Sequence, residues 1–230
     1  DLLVEIGTEE IPARFVRQAI EQLAQNVTEW LTVARIPYEK AVAYGTPRRM
    51  AVLVYGVDER QRDLNEEVRG PAKRIAVNES GEWTKAAIGF ARGQGVSPDE
   101  LIFQEYKGEA YVFARKKQAG KKTFTLLGES LGDVITALSF PKNMRWGKYD
   151  VHFVRPIRWL VTLYGSEVVP LELAGVRASN VTRGHRFLGE ETPIEHATDY
   201  EETLRRQYVI VDQHKRKELI IMMLGKKMRK

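Results

Sequence analysis

Leu2-Leu3-Val4-Glu5-Ile6-Gly7-Thr8-Glu9-Glu10-Ile11-Pro12 carries four apolar residues in its first five and predicts a short buried strand turned at Gly7-Thr8. Pro12 suits the first turn of a helix. Phe15, Ala19, Leu23, Val27, Trp30, Leu31 and Ala34 then recur at three- and four-residue spacing, with Arg17, Gln18, Glu21, Gln25 and Glu29 on the other side. A strand therefore feeds an amphipathic helix that runs to about Ala34. Glu9 and Glu10 read as dipole-complementing carboxylates at the helix start rather than an acid/base pair.

Working outward, Tyr38 to Tyr44 and Met50 to Tyr55 read as a hairpin around Gly45-Thr46-Pro47, with Arg48 and Arg49 just past its tip. Asp58 to Val68 reads as a polar connection. Trp83, Ala86, Ala87, Phe90 and Ala91 predict a short helix stopped by Gly93 and Gly95. Leu101 to Tyr106 and Ala110 to Lys117 predict a second hairpin across Lys107-Gly108-Glu109. Thr123 reads as the cap of a helix to Phe140, ended by Pro141. Strands follow at Ile157 to Tyr164, Val168 to Leu173 and Val176 to Thr182, and a helix from about Asp212 puts Leu219, Ile220, Met223 and Leu224 on one side. Without a regular βαβ alternation, the pattern predicts an α+β fold with mixed, largely antiparallel sheet and flanking helices. Residues 1–211 read as the α+β region, with a possible subdomain boundary near 120–145, and 212–230 as a basic helix leading onward.

The chain has 230 residues, with 36 Lys and Arg against 31 Asp and Glu, for a net charge of +5. Hydrophobic residues at 43% and charged residues at 29% suit a globular protein. No apolar run reaches the roughly 20 residues of a membrane helix. The absence of cysteine removes disulfides, thiolate nucleophiles and cysteine-based zinc sites, and suits the cytoplasm. The four histidines show none of the spacings that place two metal ligands on one helical turn, so no metal site is assigned.

Gly128-Glu129-Ser130-Leu131-Gly132 matches the nucleophile elbow of serine hydrolases, which makes Ser130 a candidate nucleophile. Apolar periodicity continues across it from Leu127 to Leu138, and favours a plain helix. The phosphate-loop and dinucleotide patterns near Gly120 and Gly93 each lack a required glycine.

The basic elements are more informative. Arg48-Arg49 follows Gly-Thr-Pro, Arg69 precedes Gly-Pro, Arg145 lies beside Trp146, Arg155 and Arg158 bracket Pro156, and Arg183-Gly184-His185-Arg186-Phe187 forms a compact loop. Guanidinium groups at stiff turns lose little entropy on binding, which suits phosphate clamping, stacking on bases, or docking onto another polypeptide. The candidate RNA-binding or subunit-interface residues are therefore Arg48, Arg49, Arg69, Arg145, Trp146, Arg155, Arg158, Arg183, His185 and Arg186. From Asp212 to Lys230 there are also seven Lys and Arg against two Asp and Glu, read as a phosphate-facing or solvated helix.

Six strings together resemble the N-terminal region of the β subunit of bacterial, heterotetrameric glycyl-tRNA synthetase. They are Leu3 to Pro12, Thr46-Pro47-Arg48-Arg49, Arg69-Gly70-Pro71, Met144-Arg145-Trp146-Gly147, Val151-His152-Phe153-Val154-Arg155-Pro156 and Arg183 to Phe187. The resemblance implies a component of a class II aminoacyl-tRNA synthetase, an α2β2 ligase of the cytoplasm that serves protein biosynthesis. The α subunit would activate glycine with ATP and Mg, while β recognises tRNA(Gly). It implies no catalytic residue, cofactor, DNA or membrane for this stretch, and places the anticodon-binding part of β beyond it. A scaffold role without RNA contact is the alternative.

Overall fold

The computed structural model describes residues 1–227, and its architecture is α+β with largely antiparallel sheets. The chain divides into two compact units, the first comprising Asp1–Gln61 and the chain from Lys121 onward, the second Arg62–Gly120.

In the first unit the chain begins β1 (Leu2–Thr8), α1 (Ala13–Val33), β2 (Lys40–Thr46) and β3 (Arg49–Tyr55). The second unit contains β4 (Leu64–Ala72), the single turn α2 (Lys73–Ala76), α3 (Lys85–Gln94), β5 (Leu101–Tyr106) and β6 (Glu109–Gln118). The first unit resumes with α4 (Thr123–Thr136), β7 (Ile157–Tyr164), β8 (Glu167–Val168), β9 (Glu172–Leu173) and β10 (Val176–Ser179). It continues through β11 (Val181–Arg183), β12 (Glu191–Pro193), α5 (Tyr200–Arg206) and α6 (Gln213–Lys227).

The main sheet has the order β2-β3-β1-β7-β10-β9, with β8 also on β7; β10 alone runs parallel to its neighbour β7. Every residue of β1 is buried, because β3 and β7 flank it and both faces are covered. Side chains alternate across a strand. Leu2, Val4 and Ile6 therefore meet Leu23, Val27 and Leu31 of α1 and Leu127, Leu131 and Ile135 of α4. Leu3 lies on the opposite face with Leu53, Trp159 and Val161, covered by Ile194, Tyr200, Leu204 and Val211. The same alternation places Glu5 on that second face, inside apolar surroundings.

The second unit packs α2 and α3 on one side of the three-stranded sheet β4-β6-β5, with Ala76, Ala87, Ala91, Leu101, Val112 and Ala114 as its core.

Several local expectations change. Asp58 to Val68 is not wholly a connection, because β4 begins at Leu64, with Glu66 opposite Lys116 and Glu67 opposite Arg115 on β6. Opposite charges directly across a ladder compensate for low strand propensity. Pro71 falls where the register shifts between Arg69 and Ala72, a position that needs no ladder N–H. Gly93 lies within α3, and Gly95 at φ 70° ends it. α4 stops at Thr136 rather than Phe140, its last turn tightened as Leu138 N–H donates to Ile135 three residues back. Thr123 is the first helical residue instead of the cap, and its hydroxyl donates to the Asp58 carbonyl. Ser130 is mid-helix, which removes the strained strand-to-helix turn that a serine nucleophile requires. Along α6, Ile220, Ile221, Met222, Met223 and Leu224 are all exposed, so no single side of it is buried. The basic cluster over 212–230 is described in part: the side chains of Lys226 and Lys227 and the residues 228–230 lie outside the described residues.

Candidate functional site

The site grows from the carboxylate of Glu5, which is 0% exposed. Its Oε1 accepts from Trp159 Nε1 at 2.5 Å and Thr182 Oγ1 at 2.6 Å. Its Oε2 accepts from the Tyr200 hydroxyl at 2.5 Å and Arg49 Nη1 at 3.3 Å. A buried carboxylate is tolerable only when its lone pairs are filled in this way. Burial pushes the Tyr200 hydroxyl well above its ordinary pKa, and the negative charge of Glu5 adds to the effect. Arg49 also donates to the carbonyl of Arg183 at 2.6 Å, which ties the hairpin end of β3 to the end of β11.

Trp159 connects this network to the surface. It stands opposite Gly7 in the ladder, where a Cβ would lie 1.9 Å from the ring. Only glycine leaves room for the indole. The guanidinium carbons of Arg49 and Arg183 each lie 5.3 Å from the ring centre and that of Arg48 lies at 6.0 Å. Three cations around one indole is an arrangement that ring quadrupoles stabilise.

Arg48 occupies the tip of the two-residue turn Pro47-Arg48. Thr8 N–H donates to its carbonyl at 2.9 Å and Ile11 N–H to that of Pro47 at 2.6 Å, so the start of the chain pins the turn. The loop Gly184 to Gly189 is held as firmly. Gly184 N–H donates to Glu190, His185 N–H to Gln207 and Gly189 N–H to His185, each at 2.9 Å, and His185 Nδ1 accepts from the N–H groups of Phe187 and Leu188. These two turns and the start of α6 enclose an open cleft of about 490 Å³, lined by Glu10, Thr46 to Arg49, Gly184 to Phe187, Tyr208 to Ile210 and Arg216.

The candidate residues take different places. Arg48, Arg49, His185 and Arg186 line the cleft, with Arg183 beside them over Trp159. Arg49 turns inward and is 2% exposed, so it acts on the surface only through what it holds. Arg183 pairs with Glu191 at 3.0 Å and Arg186 with Glu10 at 3.7 Å. Arg158 pairs with Glu9 at 2.5 Å and holds that carboxyl below the usual range, while Arg155 donates to the Glu10 carbonyl at 2.9 Å. Glu9 and Glu10 thus face guanidinium groups instead of serving the start of α1. Arg145 pairs with nearby Asp150, and Trp146 packs against the first core. Arg69, in the second unit, lies over Tyr106 at 4.5 Å and Tyr111 at 5.1 Å.

Glu5, Thr182, Tyr200, Tyr208 and Arg216 escaped the sequence reading. Arg216 donates to the carbonyls of Ile210 and Gly45 and meets no carboxylate at ion-pair distance among the described residues. Burial lowers its pKa, with Asp212 opposing. Among the described residues no group of three or more His, Asp or Glu could hold a metal ion, and no helix is long and apolar enough to cross a membrane.

A family model described as the glycyl-tRNA synthetase beta subunit matches residues 2–230. Curated relatives named glycine-tRNA ligase beta subunit include that of Halalkalibacterium halodurans, 56% identical over 220 residues, covering 96% of this chain and 32% of that protein. Those of Bacillus subtilis and Moorella thermoacetica are 49% identical over 220 residues and 50% over 223, each with the same coverage of 96% and 32%. The chain spans about a third of the length of the curated relatives it matches.

Proposed function

The chain belongs to the glycyl-tRNA synthetase beta subunit family, and we propose that within a glycine-tRNA ligase it positions tRNA and supports subunit assembly. In this reading an alpha subunit, in an α2β2 class II enzyme of the cytoplasm, activates glycine with ATP and Mg. The present chain supplies no catalytic group, and its partners are that subunit and tRNA(Gly).

The observation that carries the RNA role is the convergence of Arg48, His185, Arg186 and Arg216 on one cleft that only Glu10 lines from the acidic side. Phosphate recognition needs cations already fixed in place, and both turns are pinned by backbone hydrogen bonds. Binding of tRNA(Gly) should fall as salt rises, and the slope of log affinity against log salt should flatten by about 0.7 to 0.9 for each phosphate contact removed. Arg48→Ala with Arg186→Ala should therefore weaken binding and lower the slope. Unchanged affinity and slope in that double variant would remove the RNA role from this cleft.

Exposed Ile220 to Leu224 along α6 favour a protein contact as well. Co-purification with the alpha subunit that survives loss of RNA affinity would separate assembly from the cleft.

A further inference from the structure

The cleft has the features of a small-ligand site as well as of a basic surface. We propose that it holds one nucleoside monophosphate unit, the phosphate on Arg48, Arg186 and Arg216 and the base against Phe187 and Tyr208. The inference takes its ligand class from the RNA reading above and adds a subsite to it.

The anion half rests on charge without neutralisation. Arg48 makes no ion pair among the described residues, and its Nε is buried with no hydrogen-bond partner. The Nε of Arg49 is buried without a partner in the same way, so it is the unpaired charge of Arg48, rather than its Nε, that an anion in the cleft would answer. Burial lowers the Arg48 pKa and the nearby charges of Arg186 and Arg49 lower it further, against Glu9 and Glu10. The charge of Arg49 is met by Glu5, that of Arg186 only by Glu10 at 3.7 Å, and Arg216 is held by carbonyls. A phosphate in the cleft would relieve the repulsion among these cations.

The base half rests on two exposed aromatic rings, Phe187 having the Arg186 guanidinium 6.0 Å from its centre. Phe187 is 83% exposed and Tyr208 is 65% exposed, and both line the cleft. Tyr208 sits at φ 61°, a left-handed conformation that a bulky residue rarely adopts. The backbone around Phe187 is closed by His185, which fixes where the ring is presented. Stacking on such rings is how proteins take an unpaired base. A volume of about 490 Å³ falls in the roughly 300 to 1,000 Å³ range of small-ligand sites. A duplex keeps its bases inside and could offer this cleft only phosphates.

The test is calorimetric titration of the chain at low salt with AMP, CMP, adenosine, inorganic phosphate and an acidic peptide, in parallel with tRNA binding. The mononucleotides should bind more tightly than either phosphate or adenosine. Arg48→Ala should weaken AMP about tenfold. Phe187→Ala, at an exposed position that folding does not need, should weaken AMP about fivefold or more and leave phosphate unchanged. Phosphate binding as tightly as AMP, with Phe187→Ala silent, would overturn the base subsite, and an acidic peptide binding more tightly than AMP would assign the cleft to a protein partner instead. If nothing small binds while tRNA affinity still depends on Arg48, the subsite is wrong and the RNA reading stands. If AMP binds through Arg48 and Phe187 while tRNA is indifferent to both, the site takes free nucleotides and the RNA reading falls.

Discussion

Glu5→Gln tests whether the buried carboxylate organises the site. The change keeps the size of the side chain and removes its charge. One end of the carboxylate receives Trp159 Nε1 and Thr182 Oγ1, and the other receives the Tyr200 hydroxyl and Arg49 Nη1. An amide must turn its NH2 toward one of these ends, and neither an indole N–H nor a guanidinium can accept. Whichever way it turns, one donor faces another, and Arg49 at 2% exposure loses its counter-charge. Removing one partner of a buried pair costs about 3 to 5 kcal/mol, which is comparable to a large part of a domain's net stability. Urea denaturation of the chain, followed by near-ultraviolet circular dichroism, should show a loss of that size. Adding Arg49→Met removes the stranded charge, so the double variant should lose less than the sum of the singles, with a coupling of about 0.5 to 3 kcal/mol. Because Arg49 also holds the Arg183 carbonyl at 2.6 Å, trypsin should cut Glu5→Gln faster after Arg183 or Arg186. A loss under about 1 kcal/mol, or additive singles, would refute the claim that Glu5 and Arg49 form one energetic unit.

Two further outcomes follow from the packing around the main sheet. Burial raises the pKa of Tyr44, Tyr164 and Tyr200 in the folded chain. Their protonated forms are favoured by folding, so this part of the stability is complete below the ordinary tyrosine pKa of about 10 and declines as pH rises above it. Absorbance at the phenolate band should show these three ionising together with alkaline unfolding, and Tyr200→Phe should reduce the number that do; free ionisation of all tyrosines before unfolding would contradict the burial. Gly7→Ala places a methyl 1.9 Å from the Trp159 ring, whose N–H is fixed by Glu5. It should cost about 1 to 3 kcal/mol or more and lower the melting temperature by several degrees, and an unchanged melt would mean that the ring moves freely.

What the sequence made readable is what repeats locally. α1 and the β5–β6 hairpin are legible because their apolar spacing, or a turn pair such as Lys107-Gly108 at φ 53° and 83°, is written within about twenty residues. β4 was hidden because Asn65-Glu66-Glu67 and Gly70-Pro71 deny strand propensity, and the compensation lies on β6, some fifty residues onward. The arginines of the two cleft turns were visible as basic residues at stiff bends, yet nothing near Arg48 or Arg49 in the sequence says which turns outward. That choice is made by strand alternation together with Glu5, whose other partners Trp159, Thr182 and Tyr200 lie 154, 177 and 195 residues away. A lone carboxylate in a run such as Leu2 to Ile6 is the one local signal of such a network, since burying it unpaired would cost more than the strand gains. The physical consequence is a division of labour between neighbours. Arg49 directs Nη1 and Nη2 inward and fixes the frame, while Arg48, one residue earlier on the same pinned turn, lines the cleft and makes no ion pair among the described residues. In the proposed reading, recognition at this surface depends on a core acid that makes no contact with solvent.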